Sequence, residues 1–241
     1  MVKICREKEY IMKGLSHDFE GEAEEFDKVI SKIVPFYYQM IDALVTSISS
    51  TPFSRKKILD LGCGTGNVSK RILQRYPHCS ITCMDKSKNM IEVARFKLSP
   101  YPQIRFVLAD FLHLDSSEQY DIIVSSLALH HLVTDNEKRW LYKIIYETLK
   151  LNGLFYNADF VLASNENLQN IYMNKWQKHM GKNMPQSKIE NKILSKYYEE
   201  DRPAELIAQL NWLSEIGFTN IDVMWKCYNL AVYGGRKPGK A

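Results

Sequence analysis

The run Asp60-Leu61-Gly62-Cys63-Gly64-Thr65-Gly66-Asn67 places three glycines at alternate positions directly after a short apolar stretch. Glycine there lets a backbone turn tightly and approach a ligand without interference from Cβ, so the chemistry open to this loop is the cradling of a nucleotide-like molecule. A Walker A loop needs Lys followed by Ser or Thr after its glycines, and no such pair follows Gly66. A dinucleotide fingerprint needs glycine where the chain has Asn67, which disfavours a bound pyrophosphate. Two carboxylates, Asp85 and Asp110, follow at the ends of later apolar runs. His130 and His131 could take a proton from a hydroxyl or ammonium nucleophile, as could Asp159, but an imidazole pair can equally pack or bond to the backbone. His113 and His179 are weaker candidates of the same kind. Cys63 has no basic neighbour and reads as a small filler rather than a nucleophile.

These residues need a scaffold, and the centre of the chain supplies the pattern of one. Apolar strand-like runs alternate with helix-period segments, as in a mostly parallel sheet covered on both faces. The predicted strands are Lys57 to Leu61, Ser80 to Met84, Arg105 to Ala109, Asp121 to Ser125 and Leu154 to Val161. Ser87 is a natural N-cap for a helix burying Met90, Ile91, Ala94 and Leu98. A helix from about Asp135 to Leu149 is expected to stop at Gly153 as a left-handed C-cap. From Ser164 to Glu200 only helix-period stretches occur, which predicts a helical insertion over the strand ends. Pro203 opens a further helix that Gly217 closes, and Ile221 to Trp225 and Tyr228 to Tyr233 predict an antiparallel hairpin at the sheet edge. The glycine-rich tail from Gly234 reads as frayed.

With the loop and both acids at successive strand ends, the sequence resembles the class I S-adenosylmethionine-dependent methyltransferases. The residues carrying the resemblance are Ile58 to Gly66, Asp85 nineteen positions after Gly66 (85 − 66), and Ala109-Asp110-Phe111. It implies a Rossmann-like sheet of about seven strands with an antiparallel last hairpin. It also implies Gly62 and Gly64 under the cofactor, Asp85 on the ribose hydroxyls, and Asp110 with Phe111 at the adenine. Those pairings are chemically natural: a carboxylate accepts from a vicinal diol, and an aromatic ring gives a base a flat apolar wall. Asp60, Gly66, Met90 and Ser126 complete the cofactor-binding set, with S-adenosylhomocysteine as the product.

Within that superfamily the chain is similar over most of its length to carboxy-S-adenosylmethionine synthases. Val34-Pro35-Phe36-Tyr37, Asn89-Met90-Ile91-Glu92 and Trp225-Lys226-Cys227-Tyr228-Asn229 carry this similarity. It implies that Tyr37 touches the cofactor and that N-terminal helices, within residues 1–50, cap the site; a half-buried packing role for Tyr37 is the alternative. Those synthases hold an extra carboxylate with an arginine, and the matching position here falls near Ile193, with Arg202 out of register. An isoleucine cannot pair a carboxylate, and a desolvated unpaired charge is costly, so ordinary S-adenosylmethionine is expected.

The insertion, residues 164–200, sets specificity on this reading. Tyr172, Trp176, Met180 and Met184 would form an adaptable aromatic cover, although their helical spacing also suits ordinary core packing. Lys175, Lys178, Lys182, Lys188, Lys192 and Lys196 could meet RNA phosphates, or, diluted by Glu190, Glu199, Glu200 and Asp201, simply face water. The chain has 241 residues and a net charge of +4, which permits a nucleic-acid partner without demanding one. At roughly 150 residues per domain the length allows two, but the element pattern places all 241 in one. Five cysteines at irregular spacing disfavour disulfides and zinc, and no metal is expected. A charged N-terminus and the lack of any long apolar run predict a cytoplasmic protein away from membranes. The expectation is therefore an enzyme methylating a small molecule by in-line displacement. The rivals are a tRNA-modifying methyltransferase, a carboxy-S-adenosylmethionine synthase, and a non-catalytic cofactor-binding regulatory subunit; a homodimer is possible in each case.

Overall fold

Ile58, Leu59 and Leu61 are all fully buried, as expected of a central parallel strand covered on both faces. The computed structural model describes residues 27–48, 55–114 and 117–239. Residues 27–33 are helical, and helix α1 (Tyr37–Ser47) follows. Then come β1 (Lys57–Leu61), α2 (Asn67–Arg75), β2 (Ser80–Asp85), α3 (Lys88–Lys97) and β3 (Ile104–Leu108). They lead into β4 (Tyr120–Ser126), α4 (Asp135–Thr148) and β5 (Leu149–Phe160). The insertion is α5 (Glu166–Met180) and a second helix, α6, in which Gln186–Lys188 and Ser195–Glu200 flank a π-helical middle at Ile189–Leu194. Helix α7 (Leu206–Ile216), β6 (Thr219–Cys227) and β7 (Leu230–Arg236) end the fold.

The seven strands lie in the order β3-β2-β1-β4-β5-β7-β6. The first five are mutually parallel, and β7 runs antiparallel between β5 and the edge strand β6. Strand order reverses direction between β1 and β4, and the crevice beyond the carboxyl ends of those strands is where such sheets hold ligands. One face is covered by α1, α2, α3 and the insertion around Met40, Ile72, Ala94, Trp176 and Ile189. On the other, α4 and α7 pack Leu141, Ile145 and Leu213. Each such side chain contributes about 1.5–3 kcal/mol on burial.

Local capping matches the sequence in most places. Ser87 accepts from the Met90 N–H, Thr134 and Glu137 form a reciprocal capping box on α4, and Gly217 closes α7 at φ 111°. Gly153 does not act as the expected left-handed cap. Asn152 carries the positive φ of 64°, and β5 begins directly at Leu149. Gly153 is small for another reason: a Cβ there would lie 2.8 Å from the Lys150 carbonyl and 3.2 Å from that of Asp121. The tail is not frayed at its start either. Gly234 and Gly235 are inside β7, where a Cβ on Gly234 would stand 2.0 Å from the Phe155 carbonyl oxygen, so close strand approach demands glycine.

Candidate functional site

A cavity of about 420 Å³ opens over the carboxyl ends of β1, β2, β4 and β5. Its floor is the glycine loop. Gly62 and Gly64 adopt φ of 72° and 51°, and only at Gly64 would a Cβ meet open space. The same atom on Gly62 would stand 2.4 Å from Ala128 Cβ, so this glycine seats the loop against the turn after β4. Gly66 does not line the cavity. It starts α2 at φ 80° and makes room for Leu98.

Asp60 is fully buried below the loop. Its Oδ2 accepts from the Ser69 N–H at 3.2 Å and the Ser69 hydroxyl at 2.6 Å. Its Oδ1, although buried, has no partner among the described residues. Burial pushes this carboxyl up to about 6, even against the two Ser69 hydrogen bonds. Asp85 receives the Gly64 N–H on Oδ2 at 2.9 Å and the Ser87 N–H on Oδ1 at 2.8 Å, which fixes the carboxylate at the loop's edge. Met90, Phe111 and Ser126 line the cavity beside it. Asp110 does not. Its carboxylate caps the short turn Phe111–His113 through the Leu112 N–H at 2.9 Å, leaving Phe111 alone to face the cavity. Cys63 lines the loop, but contact with Cys83 and burial hold its thiol well above the usual range, which suits a filler.

The N-terminal segment meets this loop through polar contacts. Tyr37 lines the cavity, and its hydroxyl accepts from Asn67 Nδ2 at 3.2 Å while burial raises it to about 12. Lys97 Nζ donates to Asp27 Oδ2, Thr65 Oγ1 and Asn67 Oδ1 at 2.8, 3.0 and 2.7 Å, joining α3, the loop and the entry helix. Residues 1–26 and 49–50 of the expected cap lie outside the described residues.

At the far end, His130 and His131 occupy a turn after β4, and both line the cavity. His130 is buried with its Nδ1 2.5 Å from Asp159 Oδ1. Burial alone would depress the imidazole, yet the Asp159 carboxylate, with Asp201 beyond it, raises it above the ordinary value. Asp159 is held below its ordinary value by His130 despite its own burial. Asp159 therefore stands behind the histidine rather than at the cavity, with Asn157 Nδ2 and the Phe160 N–H also donating to it. His179 hydrogen-bonds with the Ser31 carbonyl, a tie between insertion and cap.

The expected aromatic cover is only partly realised. Trp176 lines the cavity, but Met180 is buried in the core, Met184 packs beside it, and Tyr172 stacks outward with Tyr228. Phe160 and Tyr197 take the vacant places: Phe160, Trp176 and Tyr197 form a mutual contact set with ring centroids 5.1 to 6.0 Å apart. Asp201 is the residue that sequence reasoning counted only as a diluting charge. Its Oδ1 lies 3.1 Å from His131 Nδ1 and 3.6 Å from His130 Nε2. Its place is fixed by a backbone bond from the Arg202 N–H to the His130 carbonyl at 2.7 Å. Ile193 lines the cavity, and Arg202 turns its guanidinium to the carbonyls of Tyr198, Glu199 and Asp201. Lys196 sits at the rim, 3.5 Å from Glu200.

The family described as "Methyltransferase domain" matches residues 58–153. The chain is 24% identical over 233 residues to the carboxy-S-adenosyl-L-methionine synthase of Nautilia profundicola, covering 92% of this chain and 95% of that one. It is 26% identical over 164 residues to the malonyl-[acyl-carrier protein] O-methyltransferase of Priestia megaterium, covering 68% of this chain and 57% of the other. Among solved structures, human N-acetylserotonin methyltransferase in complex with SAM aligns with a TM-score of 0.61 at 20% identity, covering 91% of this chain and 56% of that one. A cyclopropane synthase from Mycobacterium tuberculosis aligns with a TM-score of 0.57 at 18% identity, over 78% of this chain and 63% of that one. No helix among the described residues is long and apolar enough to cross a membrane. Residues 58–153 thus match a methyltransferase domain, and the chain has the fold of the S-adenosylmethionine-dependent methyltransferases among these solved structures.

Proposed function

We propose that this chain methylates a small-molecule acceptor, with S-adenosylmethionine at the glycine-loop end of the cavity and the acceptor between His130 and the aromatic set. The observation carrying this reading is the buried, unpartnered Oδ1 of Asp60 beside the open face of Gly64. A desolvated carboxylate oxygen lacking a donor suits a cationic group, and a glycine with open space above it suits a ligand lying on the backbone. In this reading Asp85 accepts from the ribose hydroxyls, Phe111 and Met90 flank the adenine, and Ser126, Gly62 and Tyr37 border the amino-acid portion. The bound sulfonium supplies an activated methyl group.

The chain's own residues orient, exclude water and move a proton. His130, in its neutral form, is the base that removes a proton from the acceptor, and Asp159 holds the ring and favours the imidazolium that forms. Phe160, Trp176 and Tyr197 close that end against solvent, while residues 27–48 and 164–200 act as cap and lid of one catalytic unit. Alignment of nucleophile and methyl carbon can supply much of the acceleration.

A second reading, synthesis of carboxy-S-adenosylmethionine, draws support from the similarity spanning 95% of the Nautilia profundicola synthase. The lining without arginine, with Ile193 and an ion-paired Lys196, favours the ordinary cofactor instead. The exposed lysines of α5 and α6 support a tRNA partner only weakly, since acidic neighbours intersperse them. Mass spectrometry of the cofactor released from the purified protein separates ordinary from carboxylated forms. Calorimetry with S-adenosylhomocysteine tests the site itself: Asp85→Ala should weaken binding at least tenfold, and unchanged affinity would remove the ribose assignment.

A further inference from the structure

The acceptor end of the cavity holds an unusual balance of charge. Asp201 is mostly buried, and it presents its Oδ1 to both imidazoles at 3.1 and 3.6 Å. Asp159, fully buried, already neutralises His130 from behind. Two carboxylates therefore surround this end, and with His130 in the neutral form that proton transfer needs, the buried ammonium of Lys138, whose charge acts on His130 and Asp159, balances only one of them. Lys138 donates its Nζ to the Leu132 carbonyl at 2.7 Å, and Lys196 is exposed at the rim and paired with Glu200. Phe160, Trp176 and Tyr197 give this end an aromatic wall, with Ile193 beside them. Trp176 has its N–H committed to the Ile33 carbonyl at 2.7 Å, so it offers its ring and nothing polar. A negative end lined by ring carbon repels an anionic acceptor and attracts a cation, through Coulomb attraction to Asp201 and the quadrupoles of the rings.

We propose that the acceptor is an amine, received as an ammonium by Asp201 against Phe160, Trp176 and Tyr197, and methylated on nitrogen. This rests on the methyl-transfer reading and names its substrate class. Because Asp201 Oδ1 is 3.6 Å from His130 Nε2, an ammonium hydrogen-bonded to the carboxylate is within reach of the base. Neutral His130 takes one ammonium proton at Nε2 and frees the nitrogen lone pair. That pair forms the new bond to the methyl carbon as the carbon–sulfur bond breaks, its electrons remaining on sulfur as a neutral thioether. The product is a methylated ammonium, and the proton on His130 passes to water. Carboxylate acceptors are excluded by the same arrangement, since each would face Asp201 with no arginine on the lining.

The test is isothermal calorimetry on full-length protein saturated with S-adenosylhomocysteine, titrated at pH 7.5 with three matched probes: phenethylamine, 2-phenylethanol and phenylpropionate. The amine should bind roughly tenfold or more tightly than the alcohol, the scale of a charge-assisted hydrogen bond, and the carboxylate should give no measurable heat. Asp201→Asn should abolish the amine's advantage, with S-adenosylhomocysteine binding as the check that the variant is folded. A Tyr197→Leu variant tests the ring contribution separately and should weaken the amine more than the alcohol. Equal affinities, a preference for the carboxylate, or no binding by any of the three overturns the amine assignment. Failure of the wild-type protein to bind S-adenosylhomocysteine overturns the methyl-transfer reading instead.

Discussion

His130 and Asp159 form one buried ion pair in which the Asp159 carboxylate receives both the ring and the backbone of the histidine, Nδ1 at 2.5 Å and the N–H at 3.1 Å. Burial opposes both charges, yet mutual attraction raises the imidazole and lowers the carboxylate. The ring is thereby fixed with Nε2 toward the cavity, the orientation a proton acceptor needs.

Because only neutral His130 can take a proton, the rate should climb with pH through a pKa above the ordinary histidine value of about 6.5. Asp159→Asn removes the partner that raises it, so the ascending limb should move to lower pH while the plateau falls by about 100-fold or more. Steady-state rates from pH 5.5 to 9.5, with acceptor saturating, check both effects. A limb that stays where it was in the variant contradicts the assignment. Stability carries the same signature. The raised imidazole stabilises the fold below its unfolded value and loses that contribution as pH rises through the folded one. The lowered carboxylate stabilises above its unfolded value, about 3.9, and loses its contribution as pH falls through the folded one. Asp159→Asn should therefore lower Tm most near pH 5 to 6, and least at alkaline pH.

Asp60 works in the opposite sense. Its folded value, about 6 against an ordinary 3.8, means that the native protein prefers the carboxyl protonated. The apo fold should gain stability as pH falls from above 6 toward 4, and the ionised form at pH 8 costs on the order of 3 kcal/mol. Asp60→Asn copies the protonated state and can keep one acceptor for Ser69. It should raise the apo Tm at pH 8, show little difference near pH 4, and weaken S-adenosylhomocysteine at least tenfold at pH 8. Differential scanning calorimetry with a binding titration measures the two together; a variant that loses stability at pH 8 disproves the idea that this charge is held for a ligand.

What was legible in the sequence was whatever local chain geometry decides. The strand ends at Asp60, Asp85 and the His130 turn follow from alternating apolar runs and glycine, so their convergence could be read in advance. Asp110 and Gly66 were visible as motif residues, but their local work was not: one caps a turn, the other admits Leu98. Asp201 was hidden because nothing within its acidic stretch distinguishes it from solvated neighbours. Its position depends on α6 ending there and on the Arg202 N–H reaching His130 across the fold. Phe160 and Tyr197 were equally opaque, since an aromatic at core spacing looks the same whether it faces a helix or a cavity. Gly234 misled for a physical reason: glycine signals a loose tail and a close strand approach alike.

The two glycines of the loop should separate stability from binding. At Gly62 an alanine Cβ would lie 2.4 Å from Ala128 Cβ, so Gly62→Ala must displace the turn after β4 and should cost about 2–3 kcal/mol. At Gly64 no neighbour stands within 4 Å, and the strain of φ 51° alone costs about 1 kcal/mol. Its methyl group would enter the cavity, so Gly64→Ala should lose far more cofactor affinity than stability. Chemical denaturation and calorimetry on both variants check the contrast, and equal losses in the two would refute the view that Gly64 is the open cradle.

Lys97 should control how firmly the cap holds the loop. Its ammonium is mostly buried, burial lowers its pKa, and three acceptors from two separate segments surround it: Asp27, Thr65 and Asn67. Lys97→Met fills much of the same volume but leaves Asp27 without its cation and Asn67 without one of the groups that aim it at Tyr37. None of these groups contacts the acceptor end, so the effect belongs to the cofactor. Breaking a partly buried pair costs about 1–3 kcal/mol, which should emerge as faster release of S-adenosylhomocysteine by about 5- to 100-fold, with a smaller change in association. Stopped-flow displacement resolves the two rates. Asp27→Asn, which retains a hydrogen-bonding side chain without the charge, should fall between wild type and Lys97→Met; a release rate unchanged in both variants would mean that the cap does not bear on the cofactor at all.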